Sequence, residues 1–120
     1  MMVRGRTVLP SAIDIRNMRK SCGNDLLAWH TNDGAVRFFG DDIAPVQASI
    51  NRMYTKIGAV GDWVKPDTST GIAALSFSEI SFPNIARHLA CNGHRVSVIE
   101  PIPAEAVGKA IAFKVKEKIS

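Results

Sequence analysis

The sequence predicts an α/β (α+β) fold: a single domain with one mixed β-sheet of about six strands, an antiparallel hairpin near its start, and about three helices packed on it. Three observations predict this. The apolar spacing switches repeatedly between a period of two and a period near 3.6 along the chain. Turn chemistry separates the segments, at Asn32-Asp33-Gly34, 65–71 and Asn92-Gly93. The 120 residues, 46% of them hydrophobic, are enough for one core and too few for two, so 1–120 reads as one domain with loose ends at 1–10 and 117–120.

Ser11 followed by Asp14 reads as a helix start, and Ile13, Ile15 and Met18 give an apolar stripe over 12–20 that ends near Gly23. Residues 26–31 suit a strand. The Asn32-Asp33-Gly34 turn leads into a second strand over 35–39, which predicts the hairpin. Ile43, Val46, Ile50 and Met53 recur every three or four residues and predict a helix over 43–54, with Asp41-Asp42 at its N-terminus as caps and Pro45 in its first turn. Residues 57–64 are strand-like although Gly58 and Gly61 weaken them, 65–71 is the clearest loop, and 72–77 resumes a strand. Ser81 is expected to cap a helix with Pro83 in its first turn and an apolar face of Phe82, Ile85, Ala86, Leu89 and Ala90. Asn92-Gly93 stops it. Residues 94–100 alternate as a strand, and 109–116 read as a last, half-exposed one. The helix between 72–77 and 94–100 is expected to make a parallel crossover.

Charge is unevenly placed. The net charge is +4, with five cations and only Asp14 in residues 1–20, four lysines and only Glu117 in residues 109–120, and an acidic middle. Basic ends meeting on one face would attract a phosphate backbone. No apolar run reaches the roughly 20 residues of a membrane span, and the basic start lacks a signal-type apolar core, so a cytoplasmic location without a membrane is expected. Cys22 and Cys91 lack ligand spacing and read as reduced thiols, and His30, His88 and His94 have no i, i+4 pairing, so neither metal nor cofactor is expected. Pro66-Asp67 resembles the first half of a nuclease motif, but Glu79 precedes Ile80-Ser81 and Glu100 precedes Pro101-Ile102, without the second acid and lysine that would hold a metal and orient water. The chain is expected not to be an enzyme.

The segment from Ala74 to Glu100, ALSFSEISFPNIARHLACNGHRVSVIE, resembles the N-terminal, DNA-contacting domain (domain I) of the MutS mismatch repair family. There a small-residue strand passes through a Gly-[Phe/Val]-Pro turn to a helix, a glycine step and a Val-rich strand ending in Glu. Here Ser76-Phe77-Ser78, Asn92-Gly93 and Val96 to Glu100 take those places. Upstream, Phe38-Phe39-Gly40-Asp41-Asp42 resembles the family's Leu-Phe-x-Asp-Asp step before a helix, so the likeness spans about 11–105. It implies a MutS-like scaffold standing alone, without the clamp, connector and ATPase of the family.

The resemblance also implies where DNA would be read. Counting back from Asp41-Asp42, the family's Phe-x-Glu reader falls on Ala35 and Arg37, and counting forward from Leu26-Leu27 its Phe falls on Gly34. Neither register supplies an aromatic to stack on a base, and Arg37 replaces an acceptor by a phosphate-seeking cation. The expected function is weak, non-enzymatic contact with double-stranded or distorted DNA through Arg16, Arg19 and Lys20, the hairpin residues Asn32, Asp33, Gly34, Ala35 and Arg37, and Lys65. The rival expectation is a protein-interaction or adaptor domain on the same scaffold, without DNA contact.

Overall fold

Ser11 opens the first helix by a reciprocal cap in the computed structural model, which describes residues 9–53, 64–66, 72–102 and 113–120, with the backbone alone at 51–53 and 64–66. The Ser11 hydroxyl accepts the Asp14 N–H at 3.2 Å, and the Asp14 carboxylate accepts the Ser11 N–H at 2.9 Å. Helix α1 (Ala12–Cys22) stops at Gly23, whose φ of 61° suits a residue without Cβ. Its apolar stripe differs from the expected one. Met18 and Cys22 are buried and Ile15 packs beside them, but Ile13 is 61% exposed. Five helical residues turn Ile13 about 140° away from Met18, so it leaves the packed face.

Strands β1 (Leu26–His30) and β2 (Ala35–Phe39) form the expected antiparallel hairpin, with Trp29 opposite Arg37 and His30 opposite Val36. A short 3-10 turn, Gly40–Asp42, leads into α2 (Ile43–Met53). The expected capping of α2 by Asp41-Asp42 is corrected at Asp42. Its buried carboxylate accepts the Leu27 N–H at 3.0 Å and two bonds from Arg19 at 2.8 Å. Leu27 lies beyond the paired residues of the hairpin, and the carboxylate supplies the acceptor that β2 does not.

β3 (Val64–Pro66) corrects the loop expected from residue 65, because Lys65 and Pro66 pair with Ala74 and Ala73. Pro66 is tolerated there because β3 is an edge strand. The rest of the strand expected over 57–64, and 67–71, lie outside the described residues. β4 (Ala73–Ser78) precedes α3 (Phe82–Cys91), which carries Pro83 in its first turn as expected. Ser81 does not cap it through its side chain. Its N–H bonds Ser78 O and its own φ and ψ are −82° and −22°, so the residue is already helical and its hydroxyl is not aimed at the first amides. Asn92-Gly93 does end the helix, with Gly93 at φ 85°.

β5 (Val96–Pro101) and β6 (Phe113–Ile119) complete the sheet. The described last strand shares 113–116 with the expected 109–116 and runs on to Ile119. Residues 103–112 lie outside the described set, and Glu117 to Ile119, expected in a loose end, pair with Val98, Ser97 and Val96. A bulge between Val98 and Ile99 shifts the register along the pair.

The six described strands lie in the order β3-β4-β2-β1-β5-β6. Only β1 and β5 are parallel neighbours among them, and the other pairs are antiparallel, so the sheet is mixed as expected. β4 and β5 run the same way but are not neighbours. The crossover through α3 therefore spans β2 and β1 instead of joining adjacent strands.

Side-chain alternation divides the core into two layers. Leu26, Ala28, Val36, Phe38, Leu75, Phe77, Val96 and Val98 pack with α2 and α3, where Phe38 meets the Phe77 ring edge-on at 6.0 Å. Leu27, Trp29, Phe39, Ala74 and Ile99 pack with Met18 and Cys22 of α1 on the other face. Complete burial of one such aliphatic or aromatic side chain contributes about 1.5–3 kcal/mol. α1 therefore covers one face of the sheet and α2 with α3 the other.

Candidate nucleic-acid interface

The hairpin tip is closed from within. Gly34 takes φ 83°, and its N–H bonds Thr31 O at 3.3 Å. Asp33 Oδ1 accepts the Ala35 N–H at 3.1 Å and the Thr31 hydroxyl. Arg37, two residues further along β2 than Ala35, turns back to this tip. It donates to Asp33 Oδ2 and to Thr31 Oγ1, both at 2.8 Å, and its side chain is only 17% exposed. Burial alone would push the Asp33 carboxyl up. The bonds from Arg37, Thr31 and the Ala35 N–H, with the Arg37 charge, outweigh it and lower the carboxyl from its ordinary 3.8 to about 2. Asn32 and Asp33 stand exposed at the tip, with Gly34 and Ala35 half-buried behind them.

Arg19 is held as firmly. Its guanidinium makes the two bonds to Asp42 and also donates to the carbonyls of Gly23 and Asp25, which ties the end of α1 to the start of β1 and to the turn before α2. Arg16 and Lys20 differ. Both are exposed, four residues apart on the outer side of α1, and neither has an acidic partner among the described residues.

The expected site is therefore not one patch. Lys65, described by its backbone alone, pairs with Ala74, which pairs with Phe39, whereas Ala35 at the tip pairs with Ser78. Lys65 thus lies at the opposite end of the sheet from the hairpin tip. The C-terminal lysines are also divided. Lys118 lies 3.7 Å from Asp25, Lys116 lies 3.2 Å from His30 Nδ1, and Lys114 stands opposite Glu100 in the ladder.

Sequence reading missed a polar chain at the tip end of the sheet. His30, last in β1, bonds Glu79 through Nε2 at 2.8 Å, while Lys116 of β6 reaches its Nδ1. An ammonium only donates, so Nδ1 accepts and Nε2 carries the proton given to Glu79. The Glu79 N–H in turn bonds Gly34 O at 2.9 Å, which ties the turn after β4 to the hairpin. These partners are 49 and 86 residues apart, so no local spacing signals them.

No family model and no curated protein matches this sequence. Among the described residues, no three His, Cys, Asp or Glu side chains gather as a metal site, and no helix is long and apolar enough to cross a membrane.

Proposed function

We propose that this chain is a non-enzymatic DNA-binding module on a MutS-like scaffold, making weak, salt-sensitive contact with the phosphates of duplex or distorted DNA through the outer side of α1. The observation that carries this reading is the contrast among its cations. Arg16 and Lys20 are exposed and unpaired with any acid among the described residues, while Arg19 and Arg37 are held by Asp42 and Asp33. A free cation gains affinity by releasing counterions from DNA, and one already bonded to a carboxylate must first give up that partner. The hairpin, the turn at Gly40–Asp42 and the stop at Asn92-Gly93 fall where the MutS resemblance implies, which supports the scaffold. Mismatch reading is not part of the proposal, since Arg37 is folded onto Asp33 and no aromatic occupies the reader positions.

Fluorescence anisotropy with a labelled duplex tests it. Arg16→Ala and Lys20→Ala should each weaken binding at low salt and reduce the salt-dependence slope by about 1. Arg37→Ala should leave the slope unchanged. Absence of binding at low salt, or indifference to both α1 substitutions, would end this reading.

One observation favours the adaptor alternative. Ile80, 85% exposed, stands on a turn pinned by Ser78, Gly34 and His30, so an apolar side chain is presented on a fixed support. A specific protein partner should survive nuclease treatment and be lost with Ile80→Ser.

A further inference from the structure

At the end of the sheet opposite the hairpin tip, a cleft of about 500 Å3 opens between the end of α1, the end of α3 and the starts of β1 and β5. Its floor includes Asp25, which is 8% exposed, and its walls carry His94, Arg95 and Lys118. That volume lies within the roughly 300–1,000 Å3 typical of small-molecule sites.

Two helix C-termini face this region, and their partial negative charge would ordinarily repel an anion. Here those ends are already bonded. The amides of Gly23 and Asp25 take the carbonyls of Arg19 and Cys22 at the end of α1, Arg19 covers the Gly23 and Asp25 carbonyls just beyond it, and the amides of Asn92, Gly93 and His94 take the last carbonyls of α3. What remains is one carboxylate facing two cations. Arg95 and Lys118 lie 3.8 and 3.7 Å from Asp25, beyond ordinary hydrogen-bond length, and their side chains are 70% and 54% exposed. They are loosely held, and together they leave the cleft mouth with an excess positive charge.

Asp25 itself is oriented but not saturated. Ser97, fully buried, donates to Oδ2 at 2.9 Å, while the nearest cation to Oδ1 is Arg95 at 3.8 Å. A carboxylate fixed on one oxygen in this way presents acceptors to a ligand with adjacent N–H donors. Among the bases, guanine alone offers two such donors side by side, N1–H and the N2 amino group. The amino groups of adenine and cytosine neighbour ring acceptors, and the uracil N3–H is flanked by two carbonyls, all of which would repel the carboxylate.

We propose that this cleft binds a guanine nucleotide, with the N1–H and N2–H edge on the Asp25 carboxylate and the phosphate taken by Arg95 and Lys118. The site is separate from the duplex contact, because neither Arg16 nor Lys20 lines the cleft.

Guanosine 5′-monophosphate, uridine 5′-monophosphate, guanosine and inorganic phosphate, titrated against the labelled full chain by two-dimensional NMR, test the proposal. The guanine nucleotide should shift the amides of 22–26 and 93–97 and bind at least about tenfold more tightly than the uracil nucleotide or either half alone. Arg95→Gln with Lys118→Gln, two exposed positions, should weaken it by about tenfold, while Asp25→Asn should remove the preference for guanine over uracil. Ser97→Ala provides a second route to the same loss of preference if Asp25→Asn does not fold. Equal binding of both nucleotides, binding of phosphate alone as tightly as the nucleotide, or indifference to the double substitution would overturn it. Arg16→Ala should leave the nucleotide affinity unchanged whether or not duplex binding is found.

Discussion

Two arginines are fixed by two aspartates, and these pairs set the residue-scale behaviour of the molecule. Asp33 has its carboxyl lowered to about 2, so it gives up its proton more readily folded than unfolded. Its contribution is therefore fully present above the ordinary carboxylate value of 3.8 and is lost as pH falls through about 2. The Asp33 side chain is 32% exposed and water screens the pair, so the contribution is about 1 kcal/mol. Arg37→Ala should return the Asp33 carboxyl towards its ordinary value in a carbon-detected NMR titration and remove that increment at pH 7, with little further effect at pH 2. Asp42 is more costly to disturb, since it is buried and satisfies both Arg19 and the Leu27 N–H. Asp42→Ala should cost about 3 kcal/mol in urea unfolding, and Asp42→Asn, which keeps an acceptor for Leu27, should cost less. A loss under 1 kcal/mol in the alanine variant would contradict the bonding described.

Elements in this chain succeed or fail according to how locally their ends are determined. The stop of α3 is local. Gly93 takes φ 85° with open space around it, so an added Cβ meets no atom and only the backbone strain counts. Gly93→Ala should cost about 1 kcal/mol and lower the melting temperature by about 4 °C or more in a thermal scan, which a spatial clash at this position would exceed. Signals of this kind made the hairpin, the capping box at Ser11 and the helices α1, α2 and α3 legible in the sequence. β6 shows why other parts were not. Its alternation marks 113–116 within the expected 109–116, but its continuation through Ile119 is set by pairing with β5 through a bulge, a long-range choice that leaves no local mark. Asp42 looks like a helix cap for the same reason, because Arg19 and Leu27 become its partners only once α1 and β1 are side by side. Of the expected DNA-contacting residues, charge alone could not separate Arg16 and Lys20 from Arg19 and Arg37. The acid that neutralises Arg19 lies 23 residues away, and the four-residue spacing of Asp33 and Arg37 sits across a turn where helical spacing rules do not apply.

At the scale of the whole molecule, the two core layers cannot come apart independently, because they share β1. Leu26 and Ala28 point into the layer under α2 and α3, and Leu27 and Trp29 into the layer under α1, all of them buried. Lifting α1 from its face would expose Met18 and Trp29 and break the Arg19–Asp42 pair, which would strip of its cation the buried carboxylate that holds the Leu27 N–H on the same central strand. Cooperative unfolding is therefore expected as one transition. Leu89→Ala removes packing from one layer and Met18→Ala from the other, each at about 2–5 kcal/mol. In a Trp63→Phe background, which leaves Trp29 as the single tryptophan to report the α1 layer, both variants should unfold with coincident midpoints by fluorescence and by far-ultraviolet circular dichroism, which reports helices on both faces. Residues in separate layers with no shared partner should also be additive to within about 0.5 kcal/mol in the double variant. A fluorescence midpoint in Met18→Ala well below the dichroism midpoint would mean that α1 detaches first, and the outer helix proposed to meet DNA would then be a separately melting element instead of a fixed support.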